Sequence, residues 1–363
     1  MKVIVTKNLN VRVGAPSVNA PCYQYITPGS EIEVDGKLYK GDLYHDINTW
    51  LKDEAGNYYW SGGVLSQSQD ELLGLKTTSS VKFNYNQLLD FPEKIKNTKG
   101  KNVTIAILDS GCFDHNAIKG AIIDSYDVLT GKQGYHKDES LEGHGTFITG
   151  LIAAREGTDS EIVGVAPLVN IIVVRIVEDK SVSAQNVLSG LQWIIKNPIK
   201  PDIINMSISF SVGLLQEQFE KVFSHIYDLG ILVFAAGQDN KFLFTEDIFY
   251  PARNPLVFGV GALNKNLIPV GSNTKINSYI KYIVPDLSFY STVNFTDDYN
   301  NLNGCSFSTA IVCGVVALII SYKRQNSLTQ SAREIFDSEL AFFEQFNFNE
   351  SLIIYKNEKI TFA

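Results

Sequence analysis

Three residues of this 363-residue chain carry side chains that can do acid–base and nucleophilic chemistry, and each lies where an apolar segment begins or ends. Asp109 follows the apolar run 103–108, His144 lies between two glycines before an apolar segment, and Ser306 precedes another. A serine hydroxyl is a poor nucleophile at neutral pH unless a nearby base takes its proton, which a histidine can do. A carboxylate can hold that imidazole in the required tautomer. The three residue types therefore predict catalysis by a serine nucleophile.

Each of these residues also has a simpler structural explanation. An Asp at the end of a strand often caps the following helix, and a Ser before an apolar helix is a common N-cap. A helix start also places Ser306 beside unpaired N–H groups and the positive end of the helix dipole, which favours an anion. Only His144 has glycine on both sides; the other histidines are expected on the surface or in satisfied polar contacts: His45, His115, His136 and His225. Because coincidence is a poor explanation for all three residues together, we interpret them as one site.

From about residue 103 onwards, short apolar runs alternate with longer helical patterns. Such runs are typical of strands buried on both faces, as in a parallel sheet covered by helices. The runs are 103–108, 171–177, 203–206, 231–235 and 257–260, and the helical patterns between them include 183–196 and 213–229. We therefore predict an α/β fold with a doubly wound, mostly parallel sheet. In such folds functional groups lie at the carboxyl ends of strands, next to helix starts.

Three short segments around these residues resemble the motif blocks of the subtilisin-like serine peptidases. They are Asp109-Ser-Gly, Gly-His144-Gly-Thr and Gly-Cys-Ser306-Phe-Ser-Thr-Ala. The chain order Asp, His, Ser distinguishes this family from chymotrypsin-like enzymes and α/β-hydrolases. Further segments resemble the same family, over about residues 103–323 in total: 204–208, 250–252 with 257–262, and 284–292. The resemblance implies a subtilisin-like fold and a serine endopeptidase that acts on protein or peptide substrates through this triad and an acyl-enzyme.

The resemblance also implies residues that bind the substrate. Ser207 and Ser209 would pair with an extended peptide as an added strand. One wall of the first specificity pocket would be formed by Ala235, Ala236 and Gly237.

The chain departs from the family pattern near the expected oxyanion site, where the donors would be the N–H of Ser306 and the side-chain amide of residue 238. Gln238 stands where the family usually has Asn, and loss of that donor costs about 10²–10³-fold in turnover, a value measured on a subtilisin. Cys305 replaces a Thr, and a thiol is a weaker donor than a hydroxyl. Ala310 replaces a helix-starting Pro. Phe249, often Gly in relatives, would exclude large side chains if its ring points into the pocket; packing into the core is an equal alternative.

These departures predict an enzyme that is slow, selective or regulated. The alternative is a catalytically weak or inactive scaffold of the same fold that binds peptides or a partner protein. The presence of all three catalytic residue types favours the enzyme.

The first seventy residues have a different pattern, with short strands bounded by Gly, Pro or Asn, which predicts a small all-β domain. The segment 9–17 together with a Trp-containing hairpin at 48–60 resembles bacterial SH3-like domains, which implies a small barrel with a peptide ligand. Tyr58, Tyr59 and Trp60 are candidates for an aromatic groove; the alternative is that these rings form the core of the barrel.

The chain is therefore predicted to have four parts, and at roughly 150 residues per domain its length fits about two folded domains. The parts are an SH3-like barrel at 1–70, a linker and docking segment at 71–100, a peptidase domain at 101–345 and a C-terminal extension at 346–363. In many relatives an inhibitory prodomain precedes the peptidase domain. We hypothesise that the SH3-like part recruits substrate or gates the groove.

Composition and charge restrict the partners. Hydrophobic residues make up 45% and charged residues 19%, as in an ordinary globular protein. A formal net charge of −8 with no basic run gives no attraction for phosphate backbones or anionic lipid. The longest apolar stretch, 311–322, is too short to cross a bilayer. Neither a nucleic acid nor a membrane is therefore predicted as a partner.

The sequence start lacks the pattern of a secretory signal, and the cysteines have no CxxC spacing. We therefore expect a bacterial protein of the cytoplasm, with secretion as the alternative if a leader was removed. No cofactor is predicted. The carboxylates of Asp239, Glu246 and Asp247 could bind calcium, although a solvated loop is the simpler interpretation.

Overall fold

The structure, a computed structural model, divides the chain into two compact units, Met1–Thr78 and Ser79–Ala363. Each unit has a hydrophobic core of its own. The structure describes residues 2–5, 9–27, 30–44, 47–66, 83–89, 92–140, 143–157, 160–178, 181–237, 250–263, 280–285, 289–325, 330–338 and 355–356.

The described part of the first unit consists of antiparallel strands and a 3₁₀ turn at Ser61–Gly63. One sheet has the strand order β3-β2-β7-β6-β5 and a second the order β4-β1-β8. The turn between β6 and β7 uses Gly56 at φ 86°, and the Asp53 carboxylate accepts the N–H of Asn57 at 2.8 Å. The strands are β1 (Lys2–Val5), β2 (Leu9–Val13), β3 (Cys22–Ile26), β4 (Glu31–Glu33), β5 (Tyr39–Tyr44), β6 (Ile47–Lys52), β7 (Asn57–Trp60) and β8 (Val64–Ser66).

Two of the three rings proposed for an aromatic groove belong to the core of this unit. Tyr59 is 5% exposed and Trp60 is 7% exposed. Burial and a hydrogen bond from its hydroxyl to Asp53 raise the pKa of Tyr59. Tyr58 is half-buried and meets the ring of Tyr39 edge-on, with 5.5 Å between centroids. The core interpretation therefore holds for Tyr59 and Trp60, and Tyr58 keeps a partly exposed ring.

The second unit is organised around a nine-stranded sheet with the order β12-β11-β14-β10-β17-β18-β19-β20-β23. Neighbours from β11 to β20 are parallel, and the edge strands β12 and β23 are antiparallel. The sheet is thus mixed with a parallel centre, and the predicted α/β fold is confirmed. The strands of this unit are β9 (Phe83–Asn84), β10 (Thr104–Asp109), β11 (Ile122–Asp127), β12 (Lys132–Gln133), β13 (Ile162–Val163), β14 (Asn170–Arg175), β15 (Val177–Glu178), β16 (Ser181–Val182), β17 (Ile203–Met206), β18 (Leu232–Ala236), β19 (Phe258–Leu263), β20 (Ile280–Pro285), β21 (Phe289–Thr292), β22 (Tyr299–Leu302) and β23 (Tyr355–Lys356).

Helices cover both faces of this sheet. Residues of α3, α6 and α7 share one hydrophobic cluster, and residues of α4 and α5 share the other. Successive strand residues alternate between them: Ile105 and Ile107 face the first cluster, and Ala106 and Leu108 the second. The helices are α1 (Tyr85–Leu88), α2 (Glu93–Lys96), α3 (His144–Ala153), α4 (Ala184–Lys196), α5 (Gln216–Asp228), α6 (Cys305–Arg324) and α7 (Ala332–Ser338), with 3₁₀ turns at Asn116–Ile118 and Gly213–Leu215.

Part of the segment expected to be a linker packs into the second unit. Tyr85, Leu89 and Ile95 are buried in the same cluster as α3 and α6. Residues 71–82 and 90–91 of the expected linker and most of the expected C-terminal extension lie outside the described residues.

Helix α6 is longer than the apolar stretch that the sequence indicated, because its first turn is also helical. Its 20 residues are enough to cross a membrane by length and hydropathy, so the expectation that no segment is long enough was wrong. However, 89% of the apolar 18-residue segment of this helix is buried inside the unit. Contact with the sheet and α3 accounts for its apolar composition.

Two helical glycines give a matched test of this packing. A methyl group added at Gly314 of α6 would lie 2.6 Å from Val165 Cβ, whereas one at Gly190 of α4 would meet side-chain methyl carbons at 3.0 and 3.1 Å. Gly314→Ala should therefore lower the free energy of unfolding by about 1–3 kcal/mol through overpacking, although Ala is the better helix former. Gly190→Ala should be close to neutral. Urea unfolding measures the free energy of unfolding of both variants. Equal free energies for Gly314→Ala and Gly190→Ala would contradict the overpacking at Gly314.

Candidate active site

Asp109 is the last residue of β10, which lies between β14 and β17 in the sheet. The strand is apolar and buried on both faces, so it carries the carboxylate into the interior, where Asp109 is 1% exposed. A buried carboxylate requires hydrogen-bond donors. The backbone N–H of Ser110 is one of them, at 2.8 Å from Oδ1.

His144 is the first residue of α3. Neighbouring atoms leave no room for a β-carbon at either of the two adjacent glycines. Gly143 has the left-handed conformation φ 60°, ψ 34°. A methyl group there would lie 2.6 Å from Asn294 Oδ1, and one at Gly145 would lie 2.1 Å from the carbonyl oxygen of Gly111. The glycines therefore allow the backbone to pass close to other groups, as the sequence predicted.

The start of α3 is capped by side chains from other segments, because its N-cap residue Gly143 has none. Ser110 Oγ accepts the N–H of Gly145 at 3.0 Å, and Asp138 Oδ2 accepts the N–H of Thr146 at 3.2 Å. These bonds satisfy first-turn donors and fix the position from which the His144 side chain extends.

His144 and Asp109 form a direct hydrogen-bonded pair. Nδ1 of His144 lies 2.8 Å from Oδ1 and 3.0 Å from Oδ2 of Asp109. Since a carboxylate can only accept, Nδ1 carries the proton, and Nε2 is the basic nitrogen of the neutral ring. The pair can therefore take up a proton at Nε2 and stabilise the imidazolium that forms.

Ser306 is the second residue of α6, and its hydrogen bonds are with Ser207. Its hydroxyl donates to the carbonyl oxygen of Ser207 at 3.0 Å, and the Ser207 hydroxyl donates to the carbonyl oxygen of Ser306 at 2.7 Å. The ring of the next residue, Phe307, is 5.5 Å from the His144 ring, measured between centroids. The structure thus joins Asp109 to His144 directly. It links Ser306 to Ser207, and the ring of the residue after Ser306 packs against His144.

The segment proposed to bind substrate as a strand follows β17. Ser207 is buried, and its hydroxyl oxygen lies 3.0 Å from Asn205 Oδ1 as well as 2.7 Å from the carbonyl oxygen of Ser306, so its single proton is shared between two acceptors. Ser209 is exposed. The segment therefore runs from Ser306 toward the surface.

The proposed pocket wall lies at the end of β18 and reaches the start of α6. Ala235 and Ala236 are buried, and Ala236 shares a small cluster with Cys305. The Cys305 thiol donates to the carbonyl oxygen of Gly237, and the Gly237 N–H donates to Val260 O at 2.6 Å.

Several predicted residues lie outside the described part of the chain: Gln238, Phe249, Asp239, Glu246 and Asp247. Ala310 is buried within α6, which runs unbroken from Cys305 to Arg324. In the described residues, no cluster of three or more His, Cys, Asp and Glu side chains could hold a metal ion.

Three residues that contact the segments carrying the pair were missed by the sequence analysis: Ser110, Asp138 and Asn294. Ser110 lies inside the Asp109 motif, and Asp138 is an acidic residue shortly before a helix, so both carry a local signal. Asn294 is far from His144 in the chain, and only the tertiary structure identifies it.

A model of the family described as the subtilase family matches residues 100–337, which is more than half of the chain. The chain belongs to the subtilase family. Subtilisin DY of Bacillus licheniformis is 29% identical over 260 residues, covering 70% of this chain and 90% of the relative. The major intracellular serine protease of Bacillus subtilis (strain 168) is 30% identical over 240 residues, covering 64% of this chain and 72% of the relative. Subtilisin E of the same organism is 30% identical over 228 residues, covering 61% of this chain and 56% of the relative. These relatives support a serine peptidase of this family.

In this subtilase a buried histidine fixes the segment that follows Asp109. His115 is 1% exposed, and its Nδ1 accepts the N–H of Ala117 at 3.0 Å. Nε2 therefore carries the proton and donates to the carbonyl oxygen of Asp298 at 3.0 Å. Burial lowers the pKa of His115, and interactions with Asp298 and Asp297 partly offset this.

Because the folded state prefers neutral His115, the unfolded chain binds more protons between the lowered pKa and about 6.5, and stability rises with pH there. The contribution is complete above about pH 6.5 and is lost as pH falls toward the lowered pKa. His115→Asn retains an acceptor for the Ala117 N–H and should flatten this dependence. Urea unfolding from pH 7 to pH 5 measures it, with His225→Asn on the exposed side of α5 as control. Equal slopes for His115→Asn and the unmodified protein would contradict the assignment.

Proposed function

We propose that the second unit is a serine endopeptidase in which Ser306 is the nucleophile, His144 the general base and acid, and Asp109 the residue that orients the imidazole. The observation that carries the proposal is the Asp109–His144 hydrogen bond of 2.8 Å beside the start of the helix that bears Ser306. Membership of the subtilase family supports it.

The reaction begins when the Ser306 hydroxyl leaves Ser207 O and turns to Nε2 of His144. Hydrogen bonds of this kind often tighten only when substrate binds. As Oγ attacks the carbonyl carbon, the proton passes to Nε2, and the C–N bond then breaks as His144 returns the proton to the amine. Water hydrolyses the acyl-enzyme by the same proton transfers in reverse.

The oxyanion is assigned to the N-terminus of α6. The N–H of Ser306 lies in the first turn, where backbone donors lack intrahelical acceptors, and the helix dipole favours negative charge. The side-chain amide of Gln238 is assigned as the second donor.

Substrate binding is assigned to two segments that lead to Ser306. An extended peptide would add as a strand along Ser207 and Ser209, and Ala235, Ala236 and Gly237 would form one wall of the first pocket. The longer Gln238 side chain and the Cys305 thiol at Gly237 support a slow, selective or regulated enzyme.

The second candidate function is a peptide-binding scaffold with weak or no catalysis. It is favoured by the hydrogen bond of the Ser306 hydroxyl to Ser207 O, in addition to Gln238 and Cys305. In that case the groove would bind a peptide without cleaving it.

The cytoplasm is the proposed location, and no resident cofactor is proposed. None of the four cysteines, all of them described residues, forms a disulfide, which fits a reducing compartment. Relatives include proteins named as intracellular serine proteases.

Reaction with a fluorophosphonate probe tests the nucleophile. Ser306 Oγ bonds to phosphorus as fluoride leaves, and His144 takes the hydroxyl proton. Ser306→Ala should abolish labelling, whereas Ser308→Ala should leave it unchanged, because the buried Ser308 hydroxyl has no hydrogen-bond partner among the described residues.

Asp109→Asn should lower peptide turnover about 10⁴-fold, because an Asn amide would hold the His144 ring in the wrong tautomer. Peptide binding without labelling of the unmodified protein would instead support the scaffold.

We further propose that the first unit is an SH3-like domain that recruits the substrate or gates the groove through a peptide ligand, with Tyr58 as a contact. Deletion of residues 1–69 should lower cleavage of the protein substrate and leave fluorophosphonate labelling unchanged. Unchanged cleavage by the shortened protein would contradict this role.

A further inference from the structure

The hairpin formed by β21 and β22 with its turn 293–298 contacts the helix that carries His144. Ser291 Oγ donates to Phe147 O at 2.8 Å, and Thr292 Oγ1 donates to Thr146 O at 2.8 Å. Gly150 leaves room for both hydroxyls, since a methyl group there would lie 2.4 and 2.3 Å from them. The first strand of the hairpin is therefore fixed against α3.

The turn of the same hairpin holds the segment that follows Asp109. The Asp297 carboxylate accepts the backbone N–H of Asn116 at 2.7 Å and its side-chain amide at 2.6 Å. The neutral His115 donates to Asp298 O, as described above. The hairpin thus contacts the segments that carry both members of the Asp109–His144 pair.

Asn294, in this turn, contacts Ser140, four residues before His144, and lies close to Gly143. It is 7% exposed, and its Nδ2 donates to the carbonyl oxygen of Ser140. The added methyl at Gly143 would be 2.6 Å from Asn294 Oδ1 and 2.9 Å from its backbone nitrogen. Ser140 Oγ in turn accepts the N–H of Gly143 at 3.1 Å. Asn294 therefore holds the entry into α3 from outside the helix.

The opposite side of the hairpin is anchored to the start of the second unit. The Tyr85 hydroxyl donates to Tyr290 O at 2.9 Å and accepts the Tyr290 N–H at 2.8 Å. The ring of Tyr290 stacks on Tyr299, which meets the His115 ring edge-on at 5.0 Å between centroids. These contacts make the hairpin a rigid reference for the residues that it touches.

We propose that Asn294 is a positioning residue for His144. Gly143 has neither a side chain nor an N-cap bond of its own to fix its left-handed conformation, and glycine reaches many alternatives. Without the Asn294 amide, the turn before α3 can relax and move the imidazole relative to Asp109 and Ser306. A misplacement of about 1 Å costs about 10²-fold in rate. The inference rests on the proposed function, because it concerns the same triad.

The test compares Asn294→Ala and Asn294→Asp with Thr296→Ala, an exposed position in the same turn. Asn294→Asp has nearly the same shape but lacks the donor to Ser140. Saturation kinetics with the fluorophosphonate probe separate the chemical rate constant from the affinity for the probe. Both Asn294 variants should lose about 10²-fold in the chemical rate constant with little change in affinity, and Thr296→Ala should match the unmodified protein. Unchanged chemical rate constants in variants with lower melting temperatures would reduce Asn294 to a structural residue and overturn the proposal.

A second measurement separates this proposal from the proposed function. The proton between His144 Nδ1 and Asp109 gives a far-downfield NMR signal that needs no substrate. If the unmodified protein does not react with the probe, the nucleophile assignment fails, and the signal decides the role of Asn294. Loss or shift of this NMR signal in both Asn294 variants, but not in Thr296→Ala, supports the proposal that Asn294 positions His144. An unchanged signal in the Asn294 variants overturns that proposal.

Discussion

The hydrogen bond between Asp109 and His144 is the interaction on which the geometry of the second unit depends. It joins a carboxylate that is 1% exposed at the end of a central strand to an imidazole on a separate helix. Removing a carboxylate from water is costly unless donors replace the water, so β10 and α3 have to meet within a few tenths of an ångström. The close approach of Gly145 to Gly111 O allows β10 and α3 to meet at this distance. A β-carbon at residue 145 would force the start of α3 away from the segment after β10.

Two helices begin at this site, and both have a glycine as N-cap. In α3 the first-turn donors are satisfied by Ser110 and Asp138, which fixes the helix start. In α6, no side chain among the described residues caps the helix start. Under the proposed function, the same type of helix start therefore holds the base at one position and offers a donor to the oxyanion at the other.

The sequence was sufficient for the parts of the structure that depend on local pattern. The apolar runs gave strands such as β17, Ile203–Met206, at the predicted residues, and the paired glycines around His144 indicated the close contacts that the structure contains. The rings of Tyr59 and Trp60 were ambiguous, because core and groove aromatics have the same local sequence. Asn294 could not be found, since it lies in the turn after the matched segment 284–292, and its contacts with Ser140 and Gly143 depend on tertiary packing.

The departures from the family pattern act on neighbouring atoms, which is why their effects cannot be treated separately. The Cys305 thiol donates to the carbonyl oxygen of Gly237, the residue before Gln238. Because a peptide group is planar, a donor to that oxygen restricts the direction in which the chain leaves Gly237. A thiol is a weak donor, so it restricts this direction less firmly than a hydroxyl would. Under the proposed function, the longer amide of Gln238 follows directly on the peptide group that Cys305 contacts, so the two substitutions have to be tested in combination.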